Sequence, residues 1–252
     1  MKFLILSDAH GNRFGLEAVL NCGREFDQII SLGDVVGYGA HPNECCELLR
    51  EREAISLSGN HDAAALSKID IEWFNPIAKA AILWTREQLK AENRQWLDSL
   101  PAEQIFENWG FQIVHASLRQ PWEEYITGPQ IAMLSFERLE TALCFYGHTH
   151  VADSYVLENS QENYRLLEPP IEHLSWPDGG EIEIEPEFLT LINPGSCGQP
   201  RDGNPLAKAA IFDNATHNVE IFGVQYDIEA ARDAIYSAGL PPRLGDRLLY
   251  GR

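Results

Sequence analysis

No run of about 18 apolar residues occurs in the chain, so a membrane-spanning helix is not expected. Basic residues are scarce: 19 Lys and Arg stand against 38 Asp and Glu, a formal net charge of −19. Such a field repels polyanions and argues against general binding to nucleic acid or to an anionic membrane. It leaves room for a small phosphorylated substrate, because bound divalent cations reverse the sign locally. No Cys-x-x-Cys pair exists among Cys22, Cys45, Cys46, Cys144 and Cys197. Reduced structural thiols are therefore expected, with Cys197 set apart by its Gly-rich loop. Internal repeats and low-complexity tracts are missing too. The opening Met1-Lys2-Phe3-Leu4-Ile5-Leu6 is too short for a signal peptide and runs into Ser7-Asp8, so a cytoplasmic protein is expected.

What the chain does have is 252 residues, 44% of them hydrophobic, enough for one large core. A single domain over 1–252 is the expectation. Its first half repeats one pattern, a short apolar run that ends in a polar motif. Phe3-Leu4-Ile5-Leu6-Ser7 ends in Asp8-Ala9-His10, Gln28-Ile29-Ile30-Ser31-Leu32 in Gly33-Asp34, and Ala54-Ile55-Ser56-Leu57-Ser58 in Gly59-Asn60-His61-Asp62. Phe111-Gln112-Ile113-Val114 ends in His115, and Leu143-Cys144-Phe145-Tyr146 in Gly147-His148-Thr149-His150. These runs read as buried strands.

Helical patterns lie between them. Leu16, Val19 and Leu20 share one face and Gly23 offers a stop, Asn43 can cap a segment through Arg50, and Asn75-Pro76 opens a long helix. A further helix spans Glu92 to Leu100. In the second half, Phe188 to Ile192 leads into Asn193-Pro194-Gly195-Ser196, and Ala207–Asp213 with Asn218–Val224 reads as a hairpin. The Glu- and Pro-rich stretch at about 159–187 reads as a surface excursion with short strands, and about 227–252 as a C-terminal helical segment capped by Asp227. The expected architecture is α/β: a layered sandwich of two mixed β-sheets flanked by helices. Polar motifs at successive strand C-terminal ends then gather along one rim.

The residues at those ends are Asp8, His10, Asp34, Asn60, His115, His148 and His150. Each is a competent ligand for a divalent metal through carboxylate, amide oxygen or imidazole. Seven exceed the needs of one tetrahedral site and suit two metals, where one carboxylate can bridge cations within ~4 Å of each other. Gly33, Gly59 and Gly147 each precede a ligand, where a sharp exit from a strand needs freedom and room.

Taken in order, Asp8-x-His10, Gly33-Asp34, Gly59-Asn60-His61-Asp62, His115 and Gly147-His148-Thr149-His150 resemble the calcineurin-like metallophosphoesterase superfamily over about residues 1–150. Asn193-Pro194-Gly195-Ser196 and the hairpin behind it are similar to its bacterial and archaeal single-domain, phosphodiesterase-like members. The resemblance implies that Asp8, His10 and His150 bind a first metal, that Asn60, His115 and His148 bind a second, and that Asp34 bridges both. It implies that His61 does not ligate but stabilises the transition state or protonates the leaving oxygen, with Asp62 either orienting it or capping a helix. It further implies two divalent transition-metal ions (Mn, Fe, Zn, Co or Ni) and hydrolysis by metal-activated water.

The chain departs from the protein Ser/Thr phosphatases of that superfamily, whose second motif continues Gly-Asp-x-x-Asp-Arg-Gly. Here it reads Gly33-Asp34-Val35-Val36-Gly37-Tyr38-Gly39, without the phosphate-gripping arginine. Arg201 can supply a guanidinium instead, unless it is a surface ion-pair partner, and Asn12 can donate an amide to substrate. Tyr38 is a wall of the site or a packing residue. His41, His173 and His217 match no motif and read as surface or loop histidines, and the tryptophans read as core or helix-packing residues. The expected activity is phosphoester hydrolysis, leaning to phosphodiester or nucleotide substrates. Alternatives are a dinucleoside polyphosphate hydrolase, a protein Ser/Thr phosphatase and, from another class, a non-catalytic scaffold. The sequence carries no reading of oligomeric state.

Overall fold

Among the described residues the apolar runs become strands that divide between two sheets of six. The computed structural model describes residues 1–160 and 170–252. In the first sheet β1 (Lys2–Leu6), β2 (Gln28–Ser31) and β3 (Ile55–Ser56) run parallel. Beyond β1 lie β11 (Ala207–Asp213), β12 (Asn218–Val224) and β9 (Gly180–Glu183), each antiparallel to its neighbour. In the second, β5 (Phe111–Val114), β6 (Leu143–Phe145) and β10 (Phe188–Pro194) are parallel. The antiparallel strands β4 (Glu103–Phe106), β7 (Ala152–Glu158) and β8 (Glu172–Ser175) complete it.

Alternation along β1 shows why the sheets stack. Phe3 and Ile5 point between the sheets, where they meet Ile30, Phe111, Phe145 and Phe212. Leu4 and Leu6 point outward, under Leu16 and Val19 of α1 (Arg13–Leu20) and Leu49 of α2 (Pro42–Glu51). Strands covered on both faces read as unbroken apolar runs rather than alternating ones. The second sheet is covered by α6 (Pro129–Phe136), whose Ala132 and Phe136 pack on Cys144, Tyr155 and Leu191.

The remaining helices are α3 (Asn60–Ala65), α4 (Pro76–Gln88), α5 (Ala91–Asp98), α7 (Ile228–Ser237) and α8 (Arg243–Asp246), the last continued by a 3-10 turn over Arg247–Tyr250. Asn75 Oδ1 accepts from the N–H groups of Ile77 and Ala78, and Asp227 Oδ1 from that of Ala230, so both expected caps form. Helices α4, α7 and α8 share one apolar cluster with Tyr38.

Several readings change. Helix α2 begins at Pro42 after His41, not at an Asn43 cap. Asn43 instead donates to the Gln88 carbonyl and accepts from Lys90 N–H, bracing the α4–α5 junction. Strands β4 and β7 and helix α6 were not expected. Strands β8 and β9 lie within the stretch 159–187, of which residues 161–169 fall outside the described residues. All five cysteines are free thiols, and all but Cys22 are buried. Among the described residues no helix is long and apolar enough to cross a membrane.

Candidate metal centre

Each motif that carries one of the seven candidate ligands sits past the C-terminal end of a strand. Asp8 and His10 follow β1, Asp34 follows β2, Asn60 and His61 open α3 after β3, His115 follows β5, and His148 and His150 follow β6. Parallel strands place these ends on one rim, so each sheet contributes to the same place. The loops continue the ladder for a few residues: Asp8 N–H donates to the Gly33 carbonyl (3.1 Å) and His10 N–H to that of Asp34 (2.8 Å). The second sheet is tied in by His148 N–H on Asp8 Oδ2 (3.1 Å) and by Cys197 N–H on the Ser7 carbonyl (3.0 Å).

The backbone is unusual where the side chains converge. Asp8, His10, Asp34, His148 and His150 all have φ between 47° and 67°, in the left-handed region. Non-glycine residues held there cost of order 1–3 kcal/mol each and cluster at functional sites. Gly33, at φ 102°, follows the same demand, whereas Gly59 is needed for space: a Cβ there would lie 2.1 Å from Asp34 Oδ1.

The converging atoms form two groups that share one residue. Asp8, His10, Asp34 and His150 each offer a ligand atom within 4.8 Å of the others, and so do Asp34, His115 and His148. Asp34 Oδ2 lies 3.4 Å from His10 Nε2 and 3.5 Å from His115 Nε2, so one oxygen faces both groups. Asp8 Oδ1 lies 3.4 Å from His150 Nε2, and Asn60 Oδ1 3.3 Å from His115 Nε2. All seven residues are buried.

Backbone carbonyls set the tautomers. Nδ1 of His10 faces the Val36 carbonyl (3.2 Å), that of His115 the Leu32 carbonyl (2.9 Å) and that of His150 the Gln199 carbonyl (2.6 Å). A ring that donates from Nδ1 presents a bare Nε2 lone pair, the state a metal requires. His10 Nε2 and His150 Nε2 then oppose each other at 3.1 Å, two acceptors with no proton between them. Asp8 Oδ1 and His148 Nε2 are buried without a hydrogen-bond partner among the described residues. Cations between these atoms would satisfy all four, so the donor set fits metal.

The charges point the same way. Burial drives His10 and His150 far below the usual imidazole range and His148 down to about 3, leaving them neutral. Burial also raises Asp8 to about 6. Burial opposes ionisation of Asp34, but the charged His115 beside it outweighs this and holds the carboxylate below its ordinary range. On His115 burial is outweighed by Asp34, which lifts it to about 9. A proton on His115 thus stands where a cation would.

Other expected site residues divide. His61 belongs to the site wall: its ring lies 4.7 Å from that of His10 and 4.4 Å from that of Tyr38, and its buried Nδ1 has no hydrogen-bond partner among the described residues. Burial lowers it to about 4. Asp62 makes no hydrogen bond to it. The Asp62 carboxylate accepts instead from the N–H groups of Val35, Val36 and Gly59, at 3.2, 3.0 and 3.0 Å, fastening the Asp34 loop to the start of α3. Asn12 is not free for substrate either. It caps α1 through Gly15 N–H and donates to the Gly198 carbonyl (2.8 Å). Arg201 stays at the rim, with its guanidinium 5.8 Å from the Tyr38 ring, one nitrogen on Gln199 Oε1 (3.0 Å) and a buried Nε without a partner.

Sequence reasoning missed the aromatic rim. Tyr125 stacks on His148 at 3.8 Å, and Trp73, 49% exposed and so no core residue, lies on Phe74. With Asn60, His61, Tyr38 and Asn75 they line a cleft of about 240 Å³. No periodicity marks Tyr125, because it sits in a loop.

Residues 1–217 match the calcineurin-like phosphoesterase superfamily domain. The chain is 39% identical to an uncharacterised protein of Methanocaldococcus jannaschii, with 98% of this chain and 97% of that one aligned. A crystal structure of a metallophosphoesterase from Sphaerobacter thermophilus superposes with a TM-score of 0.85 at 41% identity, covering 100% and 99% of the two chains. A hypothetical protein from Pyrococcus horikoshii shares the fold at TM-score 0.77 and 20% identity, over 100% and 98%.

Proposed function

The chain belongs to the calcineurin-like phosphoesterase superfamily and is a metal-dependent phosphoester hydrolase, and on that premise we propose that it holds two divalent cations and hydrolyses phosphodiester or nucleotide substrates. One observation carries the two-cation reading: a single oxygen of Asp34 faces imidazoles of both donor groups. Asp8, His10 and His150 would hold the first cation, Asn60, His115 and His148 the second, and Asp34 both. Mixed nitrogen and oxygen donors suit Mn, Fe, Zn, Co or Ni. When bound, the cations would supply Lewis acidity toward phosphate oxygens and acidify water near neutral pH.

The residues of the chain supply the rest. Carbonyls of Val36, Leu32 and Gln199 hold three imidazoles in the ligating tautomer. The wall formed by Tyr38, Phe74 and Tyr125 narrows the cleft over Asn60 and His61. Hydrolysis joins a water oxygen to phosphorus as the ester P–O bond breaks, and the leaving oxygen takes a proton. His61 lines the cleft, and with Nδ1 buried against Gly37 its Nε2 is the atom left to meet that oxygen. Burial keeps the ring neutral, so it must take up a proton along with the anionic substrate before it can pass one to the leaving oxygen. Arg201 offers planar N–H donors to the phosphate from the rim. The lean to diesters rests on the missing arginine after Asp34, the group that protein phosphatases of this superfamily use to grip a monoester.

The test is metal analysis of the purified protein, then turnover after defined metal addition on bis-p-nitrophenyl phosphate, p-nitrophenyl phosphate and a dinucleoside polyphosphate. Hydrolysis should vanish on chelation and return with Mn²⁺, faster on the diester than on the monoester. A protein that binds metal but turns over none of the three is not this enzyme, and preference for the monoester overturns the substrate reading.

A further inference from the structure

Beyond the cleft over Asn60 and His61 lies a larger cavity of about 720 Å³. Tyr38 and Asn75 line both, so the two adjoin. The outer cavity is closed by the C-terminal segment, through Arg243, Leu244, Arg247 and Tyr250. That segment lies past the stretch 1–217 matched by the superfamily domain.

Its composition runs against the molecule. In a chain of net charge −19, Arg243, Arg247 and Arg252 all line this one cavity, and Arg201 approaches from the metal side. Among the described residues no Asp or Glu side chain pairs with any of these four arginines, whereas Arg13, Arg24, Arg119 and Arg232 each have one. Asp246, the carboxylate on the cavity wall, accepts from the Tyr236 hydroxyl instead. Arg247 is half-buried and donates through Nε to a main-chain oxygen of Arg252. Burial and the nearby Arg201 push its pKa down to about 10. Guanidinium groups that no carboxylate side chain pairs with directly repel one another unless an anion joins them. Between them the wall is apolar or aromatic, with Ile77 and Leu244 beside the Tyr250 ring, which is 64% exposed.

We propose that the outer cavity takes the distal part of the substrate, a second phosphate on Arg247 and Arg243 and a flat ring against Tyr250 and Ile77. The substrates are then nucleotides that carry at least two phosphates, one at the metal centre and the next across Tyr38. This assignment rests on the reading of the metal centre as a phosphoester hydrolase. It adds a specificity site outside the donor set, in which Tyr38 is the partition between reaction and recognition.

The probe is α,β-methylene-ADP, whose phosphate link resists hydrolysis, with inorganic phosphate as comparator. Both are titrated by calorimetry into Mn²⁺-loaded wild type, Arg247→Ala and Arg243→Ala, and bis-p-nitrophenyl phosphate turnover is read on the same wild-type sample. Wild type should bind the nucleotide at least about tenfold more tightly than phosphate, and each variant should lose about tenfold on the nucleotide and far less on phosphate. Equal binding of the two probes by wild type, or equal losses in the variants, overturns the assignment. Arg243 is exposed, so Arg243→Ala decides the matter if Arg247→Ala does not fold. Diester turnover without nucleotide preference sinks the outer site alone, whereas absence of turnover sinks the hydrolase reading.

Discussion

At the scale of single residues, the two donor groups make different demands on their carboxylates. Asp34 belongs to both and Asp8 to one. Metal content should therefore fall further in Asp34→Ala than in Asp8→Ala, toward none against about one ion per chain by elemental analysis. Equal loss would show that Asp34 serves one cation only. His61 makes the opposite prediction. It stands in the wall without belonging to either group, so His61→Ala should keep its metal and lose turnover by roughly 10²–10⁴-fold if His61 protonates the leaving oxygen. The loss should be smaller with p-nitrophenolate as leaving group than with ribose, since a good leaving group needs little protonation. A uniform loss would assign His61 to the phosphoryl oxygens. The convergence of these seven side chains was legible in the sequence because each follows an apolar run. Asn12 and Asp62 were not, since a side chain two residues from a ligand looks the same whether it faces substrate or fastens a loop.

At the scale of elements, legibility followed burial. Strands covered on both faces, such as β1 and β6, announce themselves as continuous apolar runs. Strand β4 alternates between exposed and half-buried residues, and β8 is exposed throughout, so neither has a run to show. Strand β7 was hidden differently. It is mostly buried yet carries Asp153 and Ser154, which broke the apolar pattern. Asp153 accepts from the Tyr146 hydroxyl and from His173 Nε2, linking three strand segments of the second sheet. Burial raises its pKa from 3.8 to about 6. A raised carboxyl binds more protons folded than unfolded, so its contribution is full below 3.8 and is lost as pH climbs through about 6. Asp153→Asn removes that dependence. Between pH 5 and 7 the wild type should lose stability relative to the variant in urea midpoints, and a constant difference would mean that Asp153 titrates normally.

At the scale of the whole molecule, the donor set joins the sheets. Asp8, Asp34 and Asn60 come from the ends of the first sheet, and His115, His148 and His150 from those of the second. Metal should therefore stabilise the packing of one sheet on the other. At a free concentration one hundred times Kd each site adds about 2.7 kcal/mol, and for a chain of this length 1 kcal/mol shifts Tm by about 2–4 °C. Chelation should lower Tm by several degrees per site. An unchanged Tm in protein shown to be metal-free would mean that the rim is rigid without cations. The strained backbone at Asp8, His10, Asp34, His148 and His150 belongs to this scale as well, since only a finished fold holds it.

The distance along the chain between facing donors also sets a timetable. His10 and His150 oppose each other across 140 positions of sequence. At about 5–20 residues per second, synthesis separates their arrival by roughly 7–30 s. During that interval the nascent chain gains Asp34, Asn60, His115 and His148 one after another but has no closed donor set. A growing polypeptide selects metals by intrinsic affinity, which favours copper and zinc over manganese and iron. Because the set is complete only once both sheets have formed, the metal such a site would take would be set by its finished shape and by what the compartment then supplies.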